Sequence, residues 1–157
     1  MASSKEATGF RLCSPQWAPS ALSGEGARKY GGRWNSPGHA MVYLGESRAL
    51  TALELLVHLP SPKSRTKLFT LLEIALPANT IETLPPLSLP HDWQASPAQQ
   101  ASMTVGNDWL FSQQSLALRV PSALLREESI ILLNPLHPDF KNVRTISQRT
   151  FQFDERL

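Results

Sequence analysis

Arg33, Tyr43 and Glu54 have residue types suited to work on a phosphate-bearing substrate, and they stand 10 and 11 residues apart in the sequence. Arg33 belongs to Gly24-Glu-Gly-Ala-Arg-Lys-Tyr-Gly-Gly-Arg-Trp-Asn-Ser-Pro-Gly38, which holds five of the eight glycines together with Arg28 and Lys29. Glycines such as Gly32 let a backbone turn sharply and approach a ligand, and guanidinium groups grip paired oxygens, so the loop suits a pyrophosphate. It matches neither a Walker A sequence nor the strand-then-helix dinucleotide fingerprint, which leaves a plain glycine-rich turn open beside phosphate binding. Glu54 shares one side of a predicted helix with Leu50 and Val57. A carboxylate at the edge of an apolar face costs free energy unless something pairs with it. Contact with His58 one turn on, or escape to solvent, is the ordinary alternative. Tyr43 is either a core aromatic or a ring presented to a ligand.

Other reactive side chains offer less. Ser122 follows Pro121 at a predicted strand end, and no Gly-x-Ser-x-Gly surrounds it to make a nucleophile elbow. Cys13 has no neighbouring His or Lys to activate a thiolate and reads as a small buried hydrophobe. No His or Cys pair has metal-ligand spacing, so no metal site is expected.

The elements that must position these residues follow from periodicity and punctuation. Phe10 and Leu12 predict a short strand, followed by an irregular stretch to about Gly38. Residues 40–44 predict a second strand, closed by Gly45. Ser47 is a suitable N-cap for a helix over 48–58, where Leu50, Leu53 and Val57 recur at helical spacing until Pro60 and Pro62 intervene. Alternation predicts strands over 67–76, over Leu116, Leu118 and Val120, and over 129–133. Ser96-Pro97 resembles a helix start, with a helix running toward Val105 and resuming through Trp109 after Gly106. Residues 85–93 are too rich in proline to be regular. Weak alternation around 143–146 and 150–153 predicts β structure in the tail. Short strands bracketing a few helices, without regular β-α-β alternation, predict an α+β fold with a mixed or largely antiparallel sheet; a doubly wound α/β fold is the lesser option.

Bulk composition narrows the classes. A chain of 157 residues with 41% apolar and 18% charged residues has enough material for a single core, so one domain over 1–157 is expected. One cysteine fits a reducing compartment, and the polar start of the chain lacks a secretory h-region, so the sequence predicts a cytoplasmic protein without a membrane span. A net charge of +2 with scattered Lys and Arg gives direct nucleic-acid binding little support.

Taken together, Gly31-Gly-Arg-Trp-Asn-Ser-Pro-Gly38, Met41-Val-Tyr-Leu-Gly-Glu-Ser47 and Ala52-Leu-Glu-Leu-Leu-Val-His58 resemble the RES domain family, toxins of bacterial Xre–RES toxin–antitoxin pairs. Leu116-Ala-Leu-Arg-Val-Pro-Ser122 and Asn134-Pro-Leu-His-Pro138 resemble its C-terminal signature, so the match spans roughly 9–141. Residues 85–102 and the tail after Lys141 match no part of the pattern. The resemblance implies a fold similar to diphtheria-toxin-like ADP-ribosyltransferases and depletion of NAD by cleavage of its nicotinamide–ribose bond. NAD is then a substrate, and no cofactor is implied. Arg33, Tyr43 and Glu54 would be the catalytic triad, with Arg11, Gly32 and Ser122 on the substrate. The implied partners are an Xre-type antitoxin and a second copy in a homodimer. Protein ADP-ribosylation, an RNA-cleaving or nucleic-acid-binding toxin, and a pure interaction module are the competing readings.

Overall fold

The computed structural model describes residues 5–157. Strand β1, Glu6–Cys13, opens them and leads into a 3-10 segment at Pro15–Ser20 and a short helix α1, Glu25–Tyr30. α1 corrects the expectation of an irregular stretch. Its six residues bury no side chain, so no apolar period marks it in the sequence. Strand β2, Val42–Gly45, precedes helix α2, Arg48–Leu56, and Oγ of Ser47 accepts from the Leu50 N–H at 3.1 Å as its N-cap. A further turn of helix, α3, occupies Pro62–Arg65. Pro62 stands among its first residues, where a missing N–H costs nothing.

Strand β3, Phe69–Pro77, and the short strand β4, Ile81–Thr83, come next. β4 is missed by periodicity because three residues cannot show a period. Helix α4, Gln100–Ser112, starts later than Ser96-Pro97 and runs unbroken through Gly106. A side chain at Gly106 would collide with the backbone of Trp34, so this glycine marks a packing contact within a continuous helix. Strands β5, Ala117–Pro121, β6, Ser129–Leu133, and β7, Arg144–Phe151, complete the chain, and β7 joins the two predicted tail segments into one strand.

The seven strands form one mixed sheet in the order β4-β5-β6-β2-β1-β3-β7, antiparallel throughout except for β4 with β5. The α+β expectation is met. β1 pairs with β3 along its whole length, but with β2 only at Phe10 and Gly45. The two central strands therefore part on the side of Gly45 that leads back to Tyr43. Alternation divides the core between the two faces of the sheet. One face carries Leu44, Leu72, Ile74, Ile131 and Leu133. The other carries Leu118, Leu132, Leu50, Trp34 and Trp109, adjoining Phe10, Leu12, Phe69 and Leu71 beside α2. The buried apolar residues that helices bring to the second face are Leu50 of α2 and Trp109 and Leu110 of α4, with Ala27 of α1 packed against them, so α2 and α4 supply most of its cover.

Candidate active site

β2 sends Tyr43 to the helix-covered face, where the ring packs at the edge of the cluster built on Trp34, Leu50 and Leu132. The residue keeps some accessible surface, but its hydroxyl is enclosed. That hydroxyl donates to Oδ1 of Asn35 at 2.6 Å and accepts from the Trp34 backbone N–H at 3.0 Å. Gly32 lies so close that a side chain there would strike the phenol oxygen. Burial raises the Tyr43 phenol well above the ordinary range, outweighing the opposing pulls of the Trp34 N–H and the nearby Arg33 charge. The phenol is thus held neutral with its proton committed to Asn35. Asn35, fully buried, spends its amide N–H groups on the carbonyls of Ala27, His39 and Ser36, which ties the end of α1 and the following loop to Tyr43.

Arg33 sits one residue before Trp34, and its charge is close enough to act on the Tyr43 phenol. Its Nη1 donates to the backbone carbonyls of Trp93 at 2.8 Å and Ala95 at 2.7 Å.

Glu54 stands one turn after Leu50 on the same side of α2, and Leu50 packs in the cluster that holds Trp34, Tyr43 and Trp93. The helix therefore turns Glu54 toward the Arg33 side. Its partner is Ser122: the hydroxyl donates to Oε1 of Glu54 at 2.7 Å, so neither His58 nor solvent alone satisfies the carboxylate. Ser122 has no exposed surface, and its Oγ also accepts from the N–H groups of Leu124 and Leu125. Its hydrogen-bonding capacity is used within the protein.

Arg11 approaches from β1, where it alternates with Phe10 and Leu12, and donates from Nη1 to the Tyr43 carbonyl at 3.2 Å. This contact fills the place where β1 and β2 part. Its Nε is buried without a partner, and burial lowers its pKa against the opposing effect of Cys13. Cys13 is itself shifted up by burial, which keeps it a thiol. Among the described residues, no cluster of His, Cys, Asp or Glu could hold a metal, and no helix is long and apolar enough to cross a membrane.

The structure thus joins Arg33 to Tyr43 through adjacent residues, and Glu54 to Ser122 through a short hydrogen bond. Arg11 meets the site only at the Tyr43 backbone. Two surface concavities lie elsewhere. One of about 140 Å³ is lined by Arg48, Glu73 and Gln148, and one of about 460 Å³ by Glu6, Lys141 and Arg144. Neither is lined by Arg33, Tyr43 or Glu54. Sequence reasoning missed Asn35 and Trp93. Asn35 lies inside the glycine-rich string, but its role depends on contacts that no period encodes. Trp93 had one available signal, a large aromatic isolated in a proline-rich loop.

A model of the RES domain matches residues 8–154. The chain is 38% identical over 149 residues to the protein named Toxin Res of Yersinia enterocolitica, covering 94% of this chain and 97% of that one. It is 42% identical over 142 residues to the Prs ADP-ribosylating toxin of a Sphingobium species, covering 87% and 86%. Among solved structures, the M. tuberculosis MbcT–MbcA toxin–antitoxin complex contains a chain of the same fold, with a TM-score of 0.78 at 20% identity, over 95% of this chain and 86% of that one.

Proposed function

The chain belongs to the RES domain family, and on that footing we propose that it is the toxin of a toxin–antitoxin pair that consumes NAD at the bond between nicotinamide and ribose. The observation that carries this reading is the Glu54–Ser122 pair, a carboxylate held by a 2.7 Å hydrogen bond on the side of α2 that faces the Tyr43 cluster.

Breaking that bond builds positive charge on the ribose, as in glycoside hydrolysis. Nicotinamide leaves as a neutral molecule, so no general acid is needed. A carboxylate fixed beside the ribose would stabilise the developing charge and strengthen its hydrogen bonds to ribose hydroxyls in the transition state. Ser122 engages Oε1 of Glu54 and leaves Oε2 for the substrate. In this reading Ser122 orients Glu54 from behind, without touching NAD. Tyr43 contributes its ring, stacked on the nicotinamide, because its hydroxyl is already used on both sides. Gly32 gives the Tyr43 hydroxyl its room. Arg33 takes the pyrophosphate, and Arg11, whose Nη1 holds the Tyr43 carbonyl while its Nε is buried, steadies β2 behind the site. Water attacking the ribose carbon would yield ADP-ribose and a proton; phosphate in its place would yield the 1″-phosphate.

The Sphingobium relative's name favours a second acceptor, a protein side chain. Both readings share the first bond cleavage and differ only in the nucleophile. The implied partners are an Xre-type antitoxin that covers the site and a second copy of the chain. The toxin–antitoxin complex of the structural relative supports an antitoxin partner, whatever its type.

Incubating the purified chain with NAD tests the reading. Free nicotinamide is the expected product, and mass analysis separates ADP-ribose, its phosphate and a modified protein. No nicotinamide under any acceptor condition would refute it.

A further inference from the structure

The loop between β4 and α4 lies outside the sequence strings that carry the family resemblance, yet it supplies both hydrogen-bond acceptors of Arg33. The two carbonyls use both hydrogens of Nη1. Among the described residues, Nε and Nη2 of Arg33 bond to no protein group, and neither is sealed from solvent. Those two nitrogens form the side edge of the guanidinium, whose parallel N–H bonds match two oxygens of one phosphate. The loop therefore pins one nitrogen and leaves a fork.

Specific contacts hold the loop carbonyls in place. The Trp93 indole stacks on Trp34, with ring centroids 6.3 Å apart and planes 28° from parallel. Trp34 is only 1% exposed, so the stack is anchored in the core. The Trp93 N–H donates to the Pro90 carbonyl and the Ala95 N–H to the Asp92 carbonyl, which folds residues 90–95 into consecutive turns. The Gln94 side chain reaches the carbonyl of Ala123, next to Ser122. This arm thus runs from Arg33 to the residue beside the partner of Glu54.

We propose, resting on the NAD-consuming reading above, that Trp93 is a positioning residue for substrate recognition: its stacked indole fixes the 90–95 arm, whose carbonyls aim the Arg33 fork at the diphosphate of a dinucleotide. Trp93 acts through Arg33 and need not touch the ligand. A purely structural role would cost stability alone, whereas a positioning role separates binding from turnover.

The test is steady-state nicotinamide release by the full chain, together with calorimetric binding of ADP-ribose, which carries the diphosphate but no bond to cleave. Trp93→Ala should raise KM for NAD and weaken ADP-ribose binding, each about tenfold or more, with kcat changed by less than about threefold. Trp93→Phe, which keeps a stacking ring, should recover most of the loss. Ala95→Pro removes the Asp92–Ala95 turn without touching the tryptophan stack, and should reproduce the KM effect if Trp93→Ala does not fold. Folded variants whose KM and ADP-ribose affinity stay within about twofold of the parent would overturn the positioning role. If the parent binds ADP-ribose but releases no nicotinamide, the NAD-cleaving reading fails, and the affinities of the variants still decide the role of Trp93. A parent that does neither overturns both.

Discussion

At the scale of single residues, the proposed site divides into groups that would face the substrate and groups that hold them. In that reading Glu54 is the first kind and Ser122 the second, since Ser122 is fully buried while it donates to Glu54. Glu54→Gln should keep the fold and much of the affinity for NAD but slow nicotinamide release by roughly 100- to 1000-fold, the loss expected when one preorganised electrostatic group is removed. Turnover near the parent rate would discard the oxocarbenium mechanism. Tyr43 makes a different prediction, because its hydroxyl connects Asn35 and the Trp34 N–H. Tyr43→Phe keeps the stacking ring but leaves two enclosed polar groups unpaired, so it should cost about 1–3 kcal/mol in chemical denaturation while sparing turnover by the folded fraction. The same enclosure has a pH signature. Burial raises the folded phenol pKa above its unfolded value, so the unfolded chain binds fewer protons in alkali. Tyr43's contribution is complete below about pH 10 and declines as the pH rises from there toward its folded value. The chain has two tyrosines, and absorbance titration of Tyr43→Phe against the parent should remove the later step.

At the scale of elements, legibility followed length and pattern. β1, β2, α2, β3, β5 and β6 were all readable, because their buried positions repeat at a strand or helix period and Ser47, Gly45 and the prolines punctuate them. α1 and β4 were not: α1 buries nothing and β4 has three residues. Of the site, Arg33, Tyr43 and Glu54 could be singled out by residue type. The Glu54–Ser122 hydrogen bond spans 68 residues and the Arg33–Trp93 bond 60, and no local rule predicts such pairings. Gly106 shows how one residue can mislead, since inside a helical pattern it suggests a break. Its cause is the backbone of Trp34, which leaves no room for a side chain. Gly106→Ala should therefore destabilise by about 1–3 kcal/mol through overpacking, against the helix propensity that favours alanine. Gly26 in α1 has no atom near the position of an added Cβ. Gly26→Ala should stabilise by about 0.4–1 kcal/mol. Thermal unfolding of the two variants checks both signs, and a stabilised Gly106→Ala would show that α4 can move away from Trp34.

At the scale of the whole molecule, the distribution of charge bears on what the surface can bind. Arg28, Arg48, Arg126, Arg144 and Arg156 each stand against a carboxylate, on Glu25, Glu73, Glu127, Glu6 and Asp154. Such exposed pairs add little to stability, but they neutralise cations locally and spread positive potential thinly. Arg33, whose charge acts on the Tyr43 phenol, is engaged by two carbonyls, and Arg11 is largely enclosed. A protein that grips nucleic acid needs several unpaired cations on one surface, because affinity comes from releasing condensed counterions along the phosphate backbone. The site itself offers one open guanidinium edge, that of Arg33, a geometry fitted to one diphosphate. Fluorescence anisotropy with a labelled single strand and a labelled duplex should accordingly show weak binding at 50 mM salt. Tight binding that falls by about 10³-fold or more between 50 and 200 mM salt would revive the nucleic-acid toxin reading, since that slope marks six or more phosphate contacts. Weak binding alongside nicotinamide release would leave the dinucleotide as the ligand for which these charges are arranged.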